Sequence, residues 1–473
     1  MSSSLEMTTN DHANSHGSTV PLLIDGKDVH TAQKMAVVSS EQKRTVWKAA
    51  AASNADALAA LEAASRAFPA WSATKPAARR DILIRAADVF DRRAEELKGY
   101  MKEETSAHAA FSEFNIATSS GILRDVAGRV STALCGSYPV CDEPGTQAVV
   151  VKEPYGVVLG IAPWNAPYIL GIRSVVYALA AGNTCILKGS EFAPRCFWAI
   201  GSVFREAGLP AGCLNVIFHR PEDAASITAQ LIEHDAVKKI NFTGSTAVGR
   251  IIAQTAGRNL KPTLMELGGK NSAIVCEDAD LDRAAQQCAL GTFLHAGQVC
   301  MSTERILVHK SVLKLFTGKF KKAIETIFDS GLVQDALSKG AEHVHGTIPS
   351  PEAGALVITP TVLGGVTKEM DVYYTESFGP CVSLIAVDSD EEAVAIANDS
   401  DYGLSGAVFT KDLSKGLSMA GRIESGAVHI NSMTIHDEAG LPHGGVKSSG
   451  WGRFNAQAGL VEFLRSKTIT FQI

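Results

Sequence analysis

Cys300, Glu266 and Asn165 are the residues of this chain whose types and settings could do covalent chemistry on a carbonyl. Cys300 ends the run Gly297-Gln298-Val299-Cys300, a small-residue setting in which a backbone can approach a substrate closely and a thiolate can attack it. A cysteine alone is most often a buried small hydrophobe, so its company decides the matter. Glu266 stands in Met265-Glu266-Leu267-Gly268-Gly269-Lys270, at the end of a predicted strand, where packing gives no reason for a charge. A desolvated carboxylate there can act as a general base, while a surface glutamate before a turn is the plainer reading. Asn165 closes Pro163-Trp164-Asn165 after another strand. Its amide could donate to a developing oxyanion, or simply complete a proline-flanked turn.

A second set of residues suits a phosphate-bearing ligand. Phe242-Thr243-Gly244-Ser245-Thr246-Ala247-Val248-Gly249 follows a strand and opens a helix, which leaves free backbone N–H groups where a phosphate can bind. It lacks the usual Gly-x-Gly-x-x-Gly spacing, so an ordinary strand-to-helix turn explains it equally well. Lys188 and Glu191, three apart after a strand, could hydrogen-bond ribose hydroxyls or form a solvated ion pair. Glu376-Ser377-Phe378-Gly379-Pro380 offers a further carboxylate beside an aromatic ring, in what could equally be a loop closed by Gly-Pro.

These residues need rigid elements behind them. Short apolar runs at Ala148–Val151, Val157–Ile161, Thr184–Leu187, Leu214–Phe218, Lys239–Phe242, Thr263–Leu267 and Ser272–Val275 alternate with helical patterns. That alternation predicts a doubly wound parallel sheet, which takes its ligands beyond the carboxyl ends of its strands. A second α/β region starts after Gly268, with strands predicted at Arg305–Val308, Val382–Val387 and Ala427–Ile430. Ala49–Tyr100 reads as paired amphipathic helices, with Ile82, Leu83, Ala86, Val89 and Phe90 on one face. Cys135–Glu153 is turn-rich between β-prone pieces, and Thr468–Ile473 alternates like an edge strand, so a subunit contact is expected there.

With 473 residues, 46% of them hydrophobic, the chain exceeds a single core and should divide into domains. A net charge of -6 gives no basic footprint for nucleic acid. The nine cysteines form no Cys-x-x-Cys pair, against a disulfide scaffold or structural zinc and in favour of a reducing compartment, the cytoplasm. The apolar stretch Gly156–Gly189 is broken by Pro163, Asn165, Pro167 and Arg173, against a membrane span. Residues 1–20 read as a disordered tail, with no apolar stretch of the secretory kind.

Taken together and in order, the motifs resemble the aldehyde dehydrogenase superfamily across almost the whole chain. The resemblance rests on Ala67-Phe68-Pro69-Ala70-Trp71-Ser72, Pro163-Trp164-Asn165, Phe242-Thr243-Gly244-Ser245, Glu266-Leu267-Gly268-Gly269-Lys270, Gly297-Gln298-Val299-Cys300, Glu376-Ser377-Phe378-Gly379-Pro380 and Gly444-Gly445-Val446-Lys447. It implies an α/β fold of two doubly wound domains with a small β oligomerisation element. The Rossmann-like NAD-binding domain would take 21–134 and 155–267, the catalytic domain 268–454, and the bridging element 135–154 and 455–473. It implies Cys300 as the nucleophile, with its oxyanion held by the Asn165 amide and the Cys300 N–H, and Glu266 as the base that activates water to hydrolyse a thioester. Lys188 and Glu191 would hold the adenine ribose and Glu376 the nicotinamide ribose, with Phe378 packed at that end. Gly244, Ser245 and Gly249 would form the pyrophosphate turn, and Ile161, Pro163, Trp164, Phe242 and Leu267 would line the cofactor. A carboxylate at Glu191 repels a ribose 2′-phosphate, favouring NAD, with NADP possible.

Met301-Ser302-Thr303-Glu304-Arg305 and Gly171-Ile172-Arg173 look most like the salicylaldehyde, benzaldehyde and vanillin dehydrogenase branch. Arg173 could then face a polar substituent of an aromatic aldehyde, or form a structural salt bridge. Tyr168, Trp451 and Phe454 are candidate pocket walls, or core. No metal is implied, and a homodimer or homotetramer is expected. Two positions depart from the family pattern. Gly189 stands where proline usually follows the ribose-binding lysine, adding backbone freedom, and Ile324–Glu342 is shorter than in relatives. The competing readings are an enzyme that passes the acyl group to coenzyme A, which the base Glu266 argues against, and a non-catalytic protein of the same fold.

Overall fold

Strands covered on both faces must be apolar throughout, and this chain supplies them. Val157–Ile161 and Thr184–Lys188 are buried at every position. The computed structural model describes residues 19–39, 43–327, 342–345 and 360–473. In the first sheet, five parallel strands lie in the spatial order Leu214–Ile217, Thr184–Lys188, Val157–Ile161, Val237–Thr243, Thr263–Glu266. The chain therefore reverses direction across the sheet between Val157–Ile161 and Val237–Thr243, and a doubly wound sheet opens its ligand crevice at such a reversal. The hairpin Leu22–Ile24 and Lys27–Val29 extends one edge. Gly450–Trp451 pairs with Thr263–Glu266 on the other edge, although its place in the sequence put it with the catalytic segment.

Helices Asn54–Ser72, Pro76–Arg92, Ala94–Thr105 and Ala109–Ala133 flank this sheet. The first starts in a capping box between Ser53 and Asp56. Pro167–Ala181 has proline in its first turn, ends on Gly182 at φ 96°, and is buried along its whole length. Ala49 and Ala50, read from the sequence as helix, belong instead to strand Thr45–Ala50 of a small sheet with Thr19–Val20 and Lys34–Val38.

The second sheet has the order Glu342–His345, Thr361–Gly364, Cys381–Val387, Thr303–His309, Asn271–Val275, Ser405–Phe409, Ala427–Ile430, all neighbours being parallel except the first pair. The period-2 alternation of its strands feeds two cores. Ala273, Val275, Ile306 and Val308 face one layer, Ile274, Cys276 and Leu307 the other. Strand Leu464–Gln472 pairs antiparallel with Thr146–Pro154 over nine residue pairs, joining the two segments expected to bridge. Of the expected tail, 1–18 lie outside the described residues while Thr19–Val20 forms a strand. Of the shortened stretch, 328–341 lie outside them too, while Ile324–Ile327 closes helix Leu313–Ile327. Among the described residues no helix is long and apolar enough to cross a membrane.

Candidate active site

The carboxyl ends of the first sheet's strands meet the amino ends of the second sheet's strands, and the predicted chemistry lies along that seam. Val157–Ile161 runs out into Pro163-Trp164-Asn165, Val237–Thr243 into Gly244-Ser245, and Thr263–Glu266 ends on the glutamate itself. From the other side, Cys300 precedes strand Thr303–His309 and Glu376–Pro380 precedes Cys381–Val387.

Glu266 is 1% exposed and within hydrogen-bonding reach of the Cys300 thiol. Burial, and then the Glu266 and Glu376 side chains, push that thiol well above its ordinary range, so it rests protonated. Asn165 Nδ2 donates to the Gln298 carbonyl at 2.9 Å, which sets its amide against the loop that carries Cys300. One amide proton holds the loop, leaving a second for a substrate oxygen. Asn271 pins the loop from the far side, its Nδ2 donating to the carbonyls of Cys300 at 2.9 Å and Ser302 at 2.8 Å.

The backbone before the nucleophile is strained. His295, Ala296 and Gly297 are all left-handed, with φ of 50°, 54° and 74°. The His295 ring stacks on Phe111 at 4.3 Å, holding the turn. At Gly297 a side chain is also excluded by space, because a Cβ would meet the Gly379 carbonyl at 2.2 Å. Trp164, His295, Gln298 and Phe378 line a cavity of about 1240 Å³ that Lys98 and Lys102 also border.

The cofactor candidates lie beyond the carboxyl ends of the first sheet's strands and beside the Gly268-Gly269 turn. Ser245 caps helix Thr246–Arg258 by accepting from Val248 N, and Leu267 packs against Gly249 so closely that a Cβ there would meet its Cδ2 at 2.5 Å. Gly244 N donates to the Glu266 carbonyl at 3.1 Å, with the Phe242 ring beside it. Lys188 is a buried ammonium that burial pulls down to about 8, with the Glu191 carboxylate opposing. Ile161 and Pro163 lie at the reversal point of the first sheet. At the other end Glu376 lies over the bare backbone of Gly268 and Gly269, accepting from Gly269 N at 3.0 Å. Burial raises the Glu376 carboxyl to about 7. Gly189 leaves no slack, since the Phe197 ring fills its surroundings and a Cβ would meet that ring at 2.3 Å.

The substrate candidates fare differently. Tyr168 is core, with its hydroxyl donating to Leu97 O at 2.8 Å and its ring edge-on to Phe90, because its turn of helix Pro167–Ala181 faces the neighbouring helices. Trp451 lies on the outer edge of the first sheet, 47% exposed, its indole N–H reaching Thr263, at the opposite end of the strand from Glu266. Neither lines the cavity bordered by Trp164, His295, Gln298 and Phe378. Arg173 is buried and pairs with buried Asp437, with Phe454 5.8 Å behind it, so its charge is already matched. It still lies close enough to Cys300 and Glu266 to act on both.

Sequence reasoning missed several residues here. Lys270 and Glu304 form a buried ion pair, and the Glu304 carboxylate also accepts from Ser377 N and Phe378 N, holding the loop that carries Glu376. Asp437, which accepts from Asn455 Nδ2 at 2.8 Å, and His443 were likewise not singled out. A charged residue opening the strand Thr303–His309, otherwise apolar along Ile306–Val308, was the available signal for Glu304.

The sequence matches the Aldehyde dehydrogenase family over residues 28–331 and 329–469. It is 42% identical to vanillin dehydrogenase from a Pseudomonas species, over 96% of this chain and 98% of that protein. Its structure resembles the crystal structure of a salicylaldehyde dehydrogenase from Pseudomonas putida complexed with salicylaldehyde, with a TM-score of 0.92, 34% identity, and coverage of 96% of this chain and 98% of that one. A betaine aldehyde dehydrogenase from Staphylococcus aureus in complex with NAD+ gives a TM-score of 0.89 at 29% identity, covering 96% of this chain and 94% of that one. With family-wide sequence identity and the same two-sheet architecture, this chain belongs to the aldehyde dehydrogenase family and is an aldehyde-oxidising oxidoreductase.

Proposed function

We propose that this enzyme oxidises an aromatic aldehyde of the vanillin, salicylaldehyde or benzaldehyde kind to the carboxylic acid, using NAD. The observation that carries the reading is the meeting of Cys300, Glu266 and Asn165 at the seam of the two sheets, beside the reversal point of the first. Substrates named for similar proteins support the aromatic class.

Glu266 takes the Cys300 proton as sulfur attacks the aldehyde carbon, because a thiol held so far above its ordinary range is a poor nucleophile until a base relieves it. The second Asn165 amide proton and the Cys300 N–H stabilise the alkoxide, which exists only after attack; each such donor contributes about 10²–10³ in rate. Bound NAD supplies the hydride acceptor. Cys300 then carries the acyl group as a thioester, and Glu266 activates the water that releases the acid.

The cleft suits a dinucleotide. Helix Thr246–Arg258 turns its positive end toward Gly244 and Ser245, the Lys188 ammonium lies deep at one end, and the buried Glu376 carboxyl is ready to accept from ribose hydroxyls at the other. Glu191 beside Lys188 disfavours a 2′-phosphate, which supports NAD over NADP. Arg173, matched by Asp437 and backed by Phe454, is buried within electrostatic reach of Cys300 and Glu266. The ribbon Leu464–Gln472 keeps Ile469 and Phe471 exposed, which supports a homodimer or homotetramer built on that edge. Nine free cysteines, five of them buried, suit the cytoplasm. A spectrophotometric screen of benzaldehyde, salicylaldehyde, vanillin and straight-chain aldehydes with NAD and NADP tests the reading. Higher kcat/KM for the aromatic aldehydes with NAD is expected, and preference for straight-chain aldehydes or for NADP would overturn it.

A further inference from the structure

Glu266 Oε1 and His443 Nε2 are both buried, lie 3.7 Å apart, and have no hydrogen-bond partner among the described residues. A buried polar atom left unpaired costs about 1–3 kcal/mol, so two facing each other call for an explanation beyond packing. The His443 backbone is fixed: its N–H donates to Phe454 O at 2.9 Å and its carbonyl accepts from Phe454 N at 2.8 Å. Two more imidazoles lie nearby, His429 within electrostatic reach of His443. His429 Nε2 is also buried and unpaired among the described residues, the His429 and His436 rings are 5.0 Å apart, and His436 Nε2 lies 2.9 Å from the exposed Glu438 carboxylate.

We propose that His443 begins a proton exit from Glu266 that runs through His429 and His436 to Glu438 at the surface. The proposal rests on the function argued above, because that chemistry needs such an exit. As the sulfur–carbon bond forms, the thiol proton passes to Glu266. The aldehyde hydrogen leaves as hydride, with its electron pair, to the nicotinamide. When water adds and the carbon–sulfur bond breaks, a second proton passes to Glu266 and one returns to the departing Cys300 thiolate. One proton per turnover therefore has to leave a carboxylate that is sealed from solvent, and it has to leave before the second arrives.

The charged groups around His443 suit a carrier. Glu266 faces it from strand Thr263–Glu266 and Asp437 from the preceding loop, with Asp437 already matched by Arg173 of helix Pro167–Ala181. His429 approaches from strand Ala427–Ile430, and beyond Glu266 stand Cys300 and Glu376. Burial, and then the His436 and His443 imidazoles, hold His429 down at about 4, so it waits as a neutral acceptor.

The test compares wild type with His443→Phe, His443→Gln and His429→Gln, using benzaldehyde and NAD, by rapid mixing and in steady state, across pH and with rising imidazole. Each variant should keep its first burst of NADH and its KM values, while steady turnover falls about tenfold and recovers as imidazole carries the proton instead. Wild type should ignore the imidazole. Variants that turn over at the wild-type rate, that stay slow whatever the imidazole and pH, or that lose the burst would overturn the exit. His429→Gln, altered outside the site, keeps the test alive if the His443 variants do not fold. Absence of any NADH from wild type with every aromatic aldehyde would bring down the proposed function first, and the exit with it.

Discussion

Glu376→Gln removes a carboxyl that burial, with Glu304 and Glu266 close by, lifts from 4.5 to about 7 against the pull of the Gly269 N–H. A rise of that size corresponds to about 3 kcal/mol between the two protonation states, and partial exposure brings the expected figure to about 2 kcal/mol. The sign follows from which state holds the proton more tightly. The folded protein does, so this contribution to stability is fully present below pH 4.5 and is lost as pH rises through about 7. Wild type should therefore lose about 2 kcal/mol relative to Glu376→Gln across that window, measured without cofactor by calorimetric unfolding of both proteins at several pH values. Because Gln cannot titrate, the variant supplies the baseline for every other group. A difference between the two proteins that stays flat with pH would refute the burial argument, and so would a difference of opposite slope.

Three other changes probe the site and its supports. Asn165→Ala should lower kcat by about 10²–10³ through loss of the oxyanion donor, with thermal unfolding showing a cost of only about 1 kcal/mol for the lost bond to Gln298. Asp437→Ala strands the buried Arg173 guanidinium and should destabilise the fold by about 3–5 kcal/mol, read by denaturant titration; a cost below about 1 kcal/mol would show the pair to be solvated. Gly189→Ala should cost about 1–3 kcal/mol because its Cβ runs into the Phe197 ring, and Phe197→Leu in the same chain should recover part of the loss.

Much of the candidate site was legible in the sequence because its residues sit in short linear motifs at strand ends. Glu266 at the end of Thr263–Glu266 and the turn after Val237–Thr243 needed only the strand pattern to be placed, and the pattern was strong because both strands are buried on both faces. Whether an aromatic side chain meets a cavity or a neighbouring helix depends on helix rotation and strand register, which spacing does not reveal. That is why Tyr168 and Trp451 looked like pocket walls and lie elsewhere. Gly189 read as a gain in freedom because its restraint, the Phe197 ring, is eight residues away in the sequence and touches it only after folding. The Lys270–Glu304 pair and the approach of His443 to Glu266 join residues far apart in the chain, and no local signal announces such contacts. Gly450–Trp451 returned to the first sheet for the same reason: an edge strand of two residues carries almost no pattern.

The most direct test mixes Glu266→Gln with NAD and excess benzaldehyde and follows NADH from the first turnover onward. With the hydrolytic base gone and the sulfur intact, about one NADH per Cys300 should form, more slowly than in wild type, and turnover should then continue at least about a hundredfold below the wild-type rate. Steady NADH production at the wild-type rate would contradict the account, because the thioester on Cys300 would then be released without the carboxylate beside it.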